Sequence, residues 1–384
     1  ARSSGGRKVV SSNLASPTTE NGMMMIKNTE GVLPSQDIQK LIQNKKVGSL
    51  HYEISKSQIQ PSSLDLTLGE KAWRIRASFL PGENNTVEDK LKTVAMYELD
   101  LNSNTVLEKG SIYIIKLNET LRLPENLDGS ANAKSSSGRV DLFTRLLSDY
   151  SDEFDTVKAG YDGHLYAEVQ SKSFSVGVQK GLSLNQIRFK KGKVNISDID
   201  LRDLHFQHSL IDTEPNIKNG LGFSINLINS KSGLVGYKAK TNAPVINLSK
   251  INYYEPSEYW EEIKQNGNSL ILNPNDFYIL SSREAVKIPL GYAAEMLPYL
   301  AKIGEFRVHY AGFFDPGFGV GGSFASKAVL EVRCHEAPFK LEHGQQVGRL
   351  IFERMLYEPD ISYGTQIKSN YQGQSLKLSK HFKS

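Results

Sequence analysis

The chain is poor in cysteine: among 384 residues there is one, Cys334. No disulfide can form within the chain, and a zinc site built on several cysteines is excluded. Long apolar runs are missing too; none reaches the roughly 20 residues of a membrane-spanning helix. Excess charge of one sign is also scarce. A formal net charge of +4 is too small to argue for a nucleic-acid partner. With 39% hydrophobic and 23% charged residues, the composition reads as a folded, soluble protein of the cytoplasm, with neither membrane nor nucleic acid as partner. The length suffices for two domains of ordinary size.

What is present is a succession of short strands. Residues 1–22 are polar and aperiodic and read as a tag, linker or disordered arm, with Met23 at the natural start. Pro34 and Ser35 open a short helix with Ser35 as N-cap and Ile38, Leu41 and Ile42 on one face. Leu64, Leu66 and Leu68 alternate with polar residues, predicting a half-buried strand that ends at Gly69. Runs of strand type follow at 111–117, 164–170, 174–178 and 182–189, separated by turn residues. The fold class is mainly β, a barrel or jelly roll with few short helices.

The pattern then repeats. Tyr113 and Pro124 in the first half match Tyr278 and Pro289 in the second at one constant offset. The closing run Gly181–Phe189 echoes Gly344–Phe352. Two tandem β domains are therefore expected, over 23–205 and 206–384. They diverge where polar chemistry concentrates. The first holds Lys134-Ser135-Ser136-Ser137-Gly138-Arg139, three hydroxyls between two cations. Charge-assisted donors of this kind suit a phosphate chain, and Gly138 allows close backbone approach. It is not a P-loop: the spacing is one residue short and no Gly precedes Lys134. The second holds Ala311 and Asp315-Pro316-Gly317, a hairpin signal. In its place the first has Leu142, Phe143, Leu146, Leu147 and Tyr150 at helical spacing, predicting a helix.

Together these residues resemble the dCTP deaminases, which share the trimeric dUTPase β-fold. Leu123-Pro124 followed by Lys134–Arg139 is similar to the family's phosphate motif, with Lys134 replacing an arginine. Ala311 and Asp315–Gly317 match its nucleoside hairpin, and Leu330-Glu331 its catalytic Glu after a longer loop. Tyr363 and Asn370–Gln374 resemble its tail motif, with Asn370 for a lysine and Lys368 as a substitute charge. The resemblance spans residues 30–384 and fits the long, duplicated bacterial form.

The resemblance implies hydrolytic deamination of dCTP to dUTP and ammonia, feeding thymidylate synthesis. Glu331 would move protons, assisted by Arg139, while Ser135 and the Ala311 carbonyl position the water. Lys134, Ser136, Ser137, Gly138, Asp315, Phe318, Tyr363, Lys368, Asn370 and Gln374 would bind substrate, with Phe318 against the deoxyribose. Magnesium would enter as counterion of the triphosphate, without zinc, and dTTP is a candidate feedback nucleotide. Glu168 rivals Glu331, because Tyr161–Glu168 keeps the hairpin-to-Glu spacing better. Three alternatives stay open: a dUTP pyrophosphatase, a bifunctional enzyme giving dUMP, and a non-catalytic nucleotide-binding regulator. The chain could be a monomer or a homo-oligomer with composite sites.

Overall fold

A computed structural model describes residues 28–229, 231–298, 306–309, 312–320, 326–334, 336–364 and 375–383. The arm at 1–22 and the site candidates Ala311, Lys368, Asn370 and Gln374 lie outside the described residues.

Apolar and β-branched runs such as Ile112–Arg122 build long strands, and turn residues between them reverse the chain. In the first half, neighbouring strands run in the order Leu142–Ser148, Asp162–Ser171, Ile112–Arg122, Leu64–Ile75, Ser183–Lys191, Asp128–Ala133 and Thr156–Val157. In the second half, Phe277–Ala285 lies between Leu234–Ala239 and Lys327–Cys334. A further sheet sets Gln346–Arg354 between Leu221–Ser224 and Tyr292–Pro298. The two halves are stitched together at Val176–Val178, which pairs antiparallel with Thr105–Leu107 and parallel with Ile246–Asn247.

The halves are built alike in detail. The Tyr113 hydroxyl accepts the Glu108 N–H at 3.1 Å, and the Tyr278 hydroxyl accepts the Asn273 N–H at 2.9 Å. Each tyrosine follows a residue in the left-handed region, Gly110 at φ +79° and Asn275 at φ +63°. Glu119 accepts both the N–H and the hydroxyl of Thr67, as Glu284 does for Ser224. Sequence comparison did not bring out this second pair, because the partners sit at a different offset from the glutamates.

Pleating decides how the halves meet. In Phe277–Ala285 and Lys327–Cys334, Tyr278, Leu280, Leu330 and Val332 face the core of the second half. Phe277, Ile279 and Val329 face the other way and join the core of the first half. Trp260 completes that seam, with its ring centroid 5.3 Å from Phe174, 6.0 Å from Phe277 and 5.8 Å from Phe382. In the first half the corresponding face carries Ile114 and Tyr166. It is covered instead by the chain's own segment, through Phe79, Val87 and Leu91.

Three expectations are corrected. Leu64–Ile75 is a longer strand than the one ending at Gly69, and it is buried on both faces at its start. Its polar positions Asp65 and Thr67 are internally paired, with Lys134 and Glu119. Residues 142–148 form a strand, not a helix, because both faces are covered and the apolar spacing loses its period. Left-handed residues flank that strand, Asp141 at φ +55° and Tyr150 at φ +58°. Ser35 lies inside the first helix, and Pro34 takes the N-cap position.

If the seam is a true core, Trp260→Ala should cost about 3–5 kcal/mol, read from the denaturant midpoint. A loss below about 1 kcal/mol would show that the halves do not depend on it.

Candidate active site

Glu331 sits on Lys327–Cys334 on the face turned toward the first half, directly opposite Ile279. Only 3% of its surface is exposed. What meets it comes from the serine motif. The strand Asp128–Ala133 ends in a one-turn helix, Ser135–Gly138, and the Arg139 N–H closes that turn on the Ser135 carbonyl at 3.0 Å. This turn aims the Arg139 side chain across the seam, where its Nε lies 3.9 Å from Glu331 Oε1. Arg139 Nη1 also donates to the Lys377 carbonyl at 3.1 Å. Burial pushes the Glu331 carboxyl up to about 8, and Arg139 opposes that rise only in part. Near neutral pH the protonated form therefore dominates and can give a proton, while the carboxylate fraction that Arg139 favours can take one.

The other members of the motif are held by the C-terminal segment and by the strands of the first half. The Ser379 hydroxyl donates to the Ser136 carbonyl at 2.8 Å, and the Ser137 hydroxyl donates to the Leu184 carbonyl at 3.0 Å. Ser137 thus braces the loop. The Gly138 N–H donates to the Lys134 carbonyl. Ser135 is half-buried at the start of the turn. Lys134 Nζ pairs with Asp65. Lys380 lies close to both, and burial, together with the like charge of Lys134, lowers its pKa. Two lysines beside one carboxylate leave a local excess of positive charge suited to an anion.

Asp315 comes from the hairpin of the second half. It accepts the Ser62 hydroxyl at 2.5 Å and lies 3.6 Å from Arg188 Nη2. Burial raises its pKa, and Arg188 opposes the rise. Arg188 is fully buried, donates to Ser62 at 3.0 Å and Glu353 at 2.6 Å, and stands 4.0 Å from the Phe313 ring centroid. The turn after Asp315 needs glycine: at Gly319, φ is +70° and a Cβ would stand 1.9 Å from the Val286 carbonyl oxygen. Phe318, expected against a sugar, is 5% exposed and packs between Phe314 and Tyr363. Tyr363 is tied to the same turn by its N–H, which donates to the Pro316 carbonyl at 3.0 Å.

Glu168 occupies the same register in the first half, opposite Ile114 as Glu331 is opposite Ile279. Its setting differs completely. Glu168 pairs with Arg145 of the neighbouring strand and accepts the Ser78 hydroxyl at 2.5 Å. The Arg145 guanidinium is stacked 3.5 Å from the Phe154 ring centroid. Both carboxylate oxygens are engaged within one half, under the segment that covers this face. Glu331 instead faces an arginine from the other half.

Sequence reasoning missed Ser62, Asp65, Arg188 and Lys380. Arg188 left one signal: in the echo of the closing strands it stands where the second half has Ile351. Among the described residues, no three His, Cys, Asp or Glu side chains cluster in a way that could hold a metal ion. No helix among the described residues is long and apolar enough to cross a membrane.

Cations, hydroxyls and a carboxyl with a raised pKa, gathered where two like β units meet, make a candidate composite site. Comparison with known proteins agrees with the two-unit arrangement. Residues 29–193 match the family model of the 2'-deoxycytidine 5'-triphosphate deaminase N-terminal domain, and residues 197–382 match that of its C-terminal domain. The chain belongs to the dCTP deaminase family. It is 46% identical to a 2'-deoxycytidine 5'-triphosphate deaminase from Agrobacterium tumefaciens, whose crystal structure superposes with a TM-score of 0.83. That match covers 87% of this chain and 100% of the other. Shorter relatives are named "dCTP deaminase, dUMP-forming". One from Dictyoglomus turgidum is 24% identical over 42% of this chain and 80% of its own. One from Mycobacterium avium is 28% identical over 34% of this chain and 70% of its own. The dUTPase-like β-fold expected from the motifs is the fold found.

The burial of Glu331 has a signed consequence. Its folded-state pKa of about 8 lies above the ordinary 4.5. The stability tied to its bound proton is therefore whole below 4.5 and is lost as pH rises through about 8. Glu331→Gln removes that dependence, so its Tm relative to the parent should climb between about pH 5 and about pH 9. A difference that stays flat over that range would contradict the assignment.

Proposed function

We propose that the chain hydrolytically deaminates dCTP at C4 of the cytosine, giving dUTP and ammonia. The observation that carries this reading is Glu331, a buried carboxyl raised to about 8 against Arg139 from the other half. Attack by water on C4 requires a group that removes a proton from the water. The same proton is then needed at N3, and a further one on the departing amine. A carboxyl titrating near neutrality serves both directions of transfer. Arg139 favours the carboxylate form, which makes a base available before the water attacks and favours release of the captured proton to N3 afterwards. Ser135 and the Ala311 carbonyl are proposed to hold the water. Lys134 and Lys380, with the serine motif beside them, are proposed to take the triphosphate and its magnesium counterion. The assembly proposed is one complete site per chain.

A second reading comes from the relatives named dUMP-forming. Release of dUMP requires water to be activated at the α-phosphate. Asp315 would be the carboxylate for that task, but it is buried and its Oδ1 is held by both Ser62 and Arg188. We therefore favour dUTP as product.

The test is the purified chain with dCTP, following ammonia and pyrophosphate separately. Ammonia without pyrophosphate is expected; stoichiometric pyrophosphate would assign the dUMP-forming reaction. Glu331→Gln should lower turnover at least about a hundredfold while dCTP still binds. Glu168→Gln should instead retain turnover and lose stability, because the partly buried Arg145 would be left without its charge partner. The reverse pattern would move the chemistry to Glu168.

A further inference from the structure

A second ion pair lies beside the first and spans the same seam. Arg333 follows Glu331 by two residues on one strand, so pleating puts both on the face turned toward the first half. Asp141 follows Arg139 by two residues, at the end of the turn that begins with the serine motif. Arg333 Nη2 pairs with Asp141 Oδ2, and both groups are almost wholly shielded, with side chains 9% and 0% exposed. The same Nη2 donates to the Ser173 hydroxyl at 3.1 Å, and Ser173 donates to Asp141. On its other side Arg333 Nη1 donates to the Asn275 carbonyl. That carbonyl belongs to the turn leading into Phe277–Ala285, the strand paired with the one that carries Glu331.

The backbone at Asp141 makes this pair stand out. Its φ is +55°, a region where glycine is at ease and an aspartate is strained. The residue there also buries a charge, which costs stability unless it is paired. The first half has no counterpart to the arrangement. Gln170 stands two residues after Glu168, and Glu168 is satisfied by Arg145 of its own sheet. The interhalf clamp accompanies the carboxylate that faces Arg139, not the one that is sealed.

We propose that Asp141 and Arg333 are positioning residues that set the approach of Arg139 to Glu331. This rests on the reading of Glu331 as the proton carrier. The clamp ties the turn bearing Arg139 to the strand bearing Glu331, one residue beyond each in the pleat. Its loss lets the seam relax, and misplacement on the scale of an ångström lowers turnover more than it weakens binding. Arg333 and Asp141 touch each other and the scaffold, so neither is a catalytic residue.

The experiment measures kcat and KM for dCTP, with Tm, in three variants. Asp141→Gly/Arg333→Met removes both charges and relieves the backbone, so its Tm should stay near the parent's. Its kcat should nonetheless fall at least about tenfold, with KM within about threefold of the parent. Asp141→Asn keeps the shape and the Ser173 contact but removes the charge, and should show the same split more weakly. Arg333→Lys keeps the charge and should recover part of kcat. If the first two variants turn over dCTP like the parent, or if kcat falls only in step with Tm, the positioning role is wrong. If the parent itself releases no ammonia from dCTP, the reading of the site fails and the clamp's role falls with it.

Discussion

The approach of Arg139 to Glu331 is the constraint on which the rest of the molecule depends. A carboxyl and a guanidinium, each almost fully buried, lie 3.9 Å apart where two β units meet. Neither unit could hold that arrangement alone. Burying an ionisable pair is costly, and a surrounding network must supply the compensation. Here the network includes Lys377, which accepts from Arg139, and the Asp141–Arg333 pair next to it. It extends through Ser379 on the serine motif to Lys380 beside Lys134 and Asp65. Arg188, Ser62, Asp315 and Glu353 tie the far end. Titratable groups shifted by burial, gathered along one seam, are what proton chemistry at a nucleotide base requires.

Duplication explains how such a seam arises. Both units keep the same internal devices: a tyrosine that caps a turn, a left-handed residue before it, and a buried glutamate gripping a hydroxyl residue. They part company on one face. The second unit turns Phe277, Ile279, Val329, Glu331 and Arg333 toward the first unit. The first unit covers its corresponding face with Phe79, Val87 and Leu91 and satisfies Glu168 internally. Two glutamates in one register thus have opposite fates: one is locked into a local ion pair, and the other keeps a raised pKa.

Much of this was legible in the residues, because strands, turns and a repeat are local signals. Tyr113 and Tyr278 announce the same turn, and the serine motif announces anion chemistry. The choice between Glu331 and Glu168 was not legible, since each stands in the same local pattern and only the partner across the seam distinguishes them. The alternation at Leu64, Leu66 and Leu68 predicts a half-buried strand, but it does not say that Asp65 and Thr67 between them have partners inside the fold. Residues 142–148 misled for the complementary reason: burial on both faces erases the two-residue period and leaves a spacing that imitates a helix. Asp141 and Arg333 carry no motif at all. Their significance lies in a contact between residues far apart in the chain.

The central claim is that one chain completes one site from its two halves. Mixing two inactive variants, Arg139→Ala and Glu331→Gln, under conditions that allow subunits to exchange tests it most directly. If Arg139 and Glu331 of the same chain act together, every site in the mixture keeps one defect and no ammonia is released from dCTP. Recovery of deamination on mixing would show that the two residues work between chains, and would contradict this account.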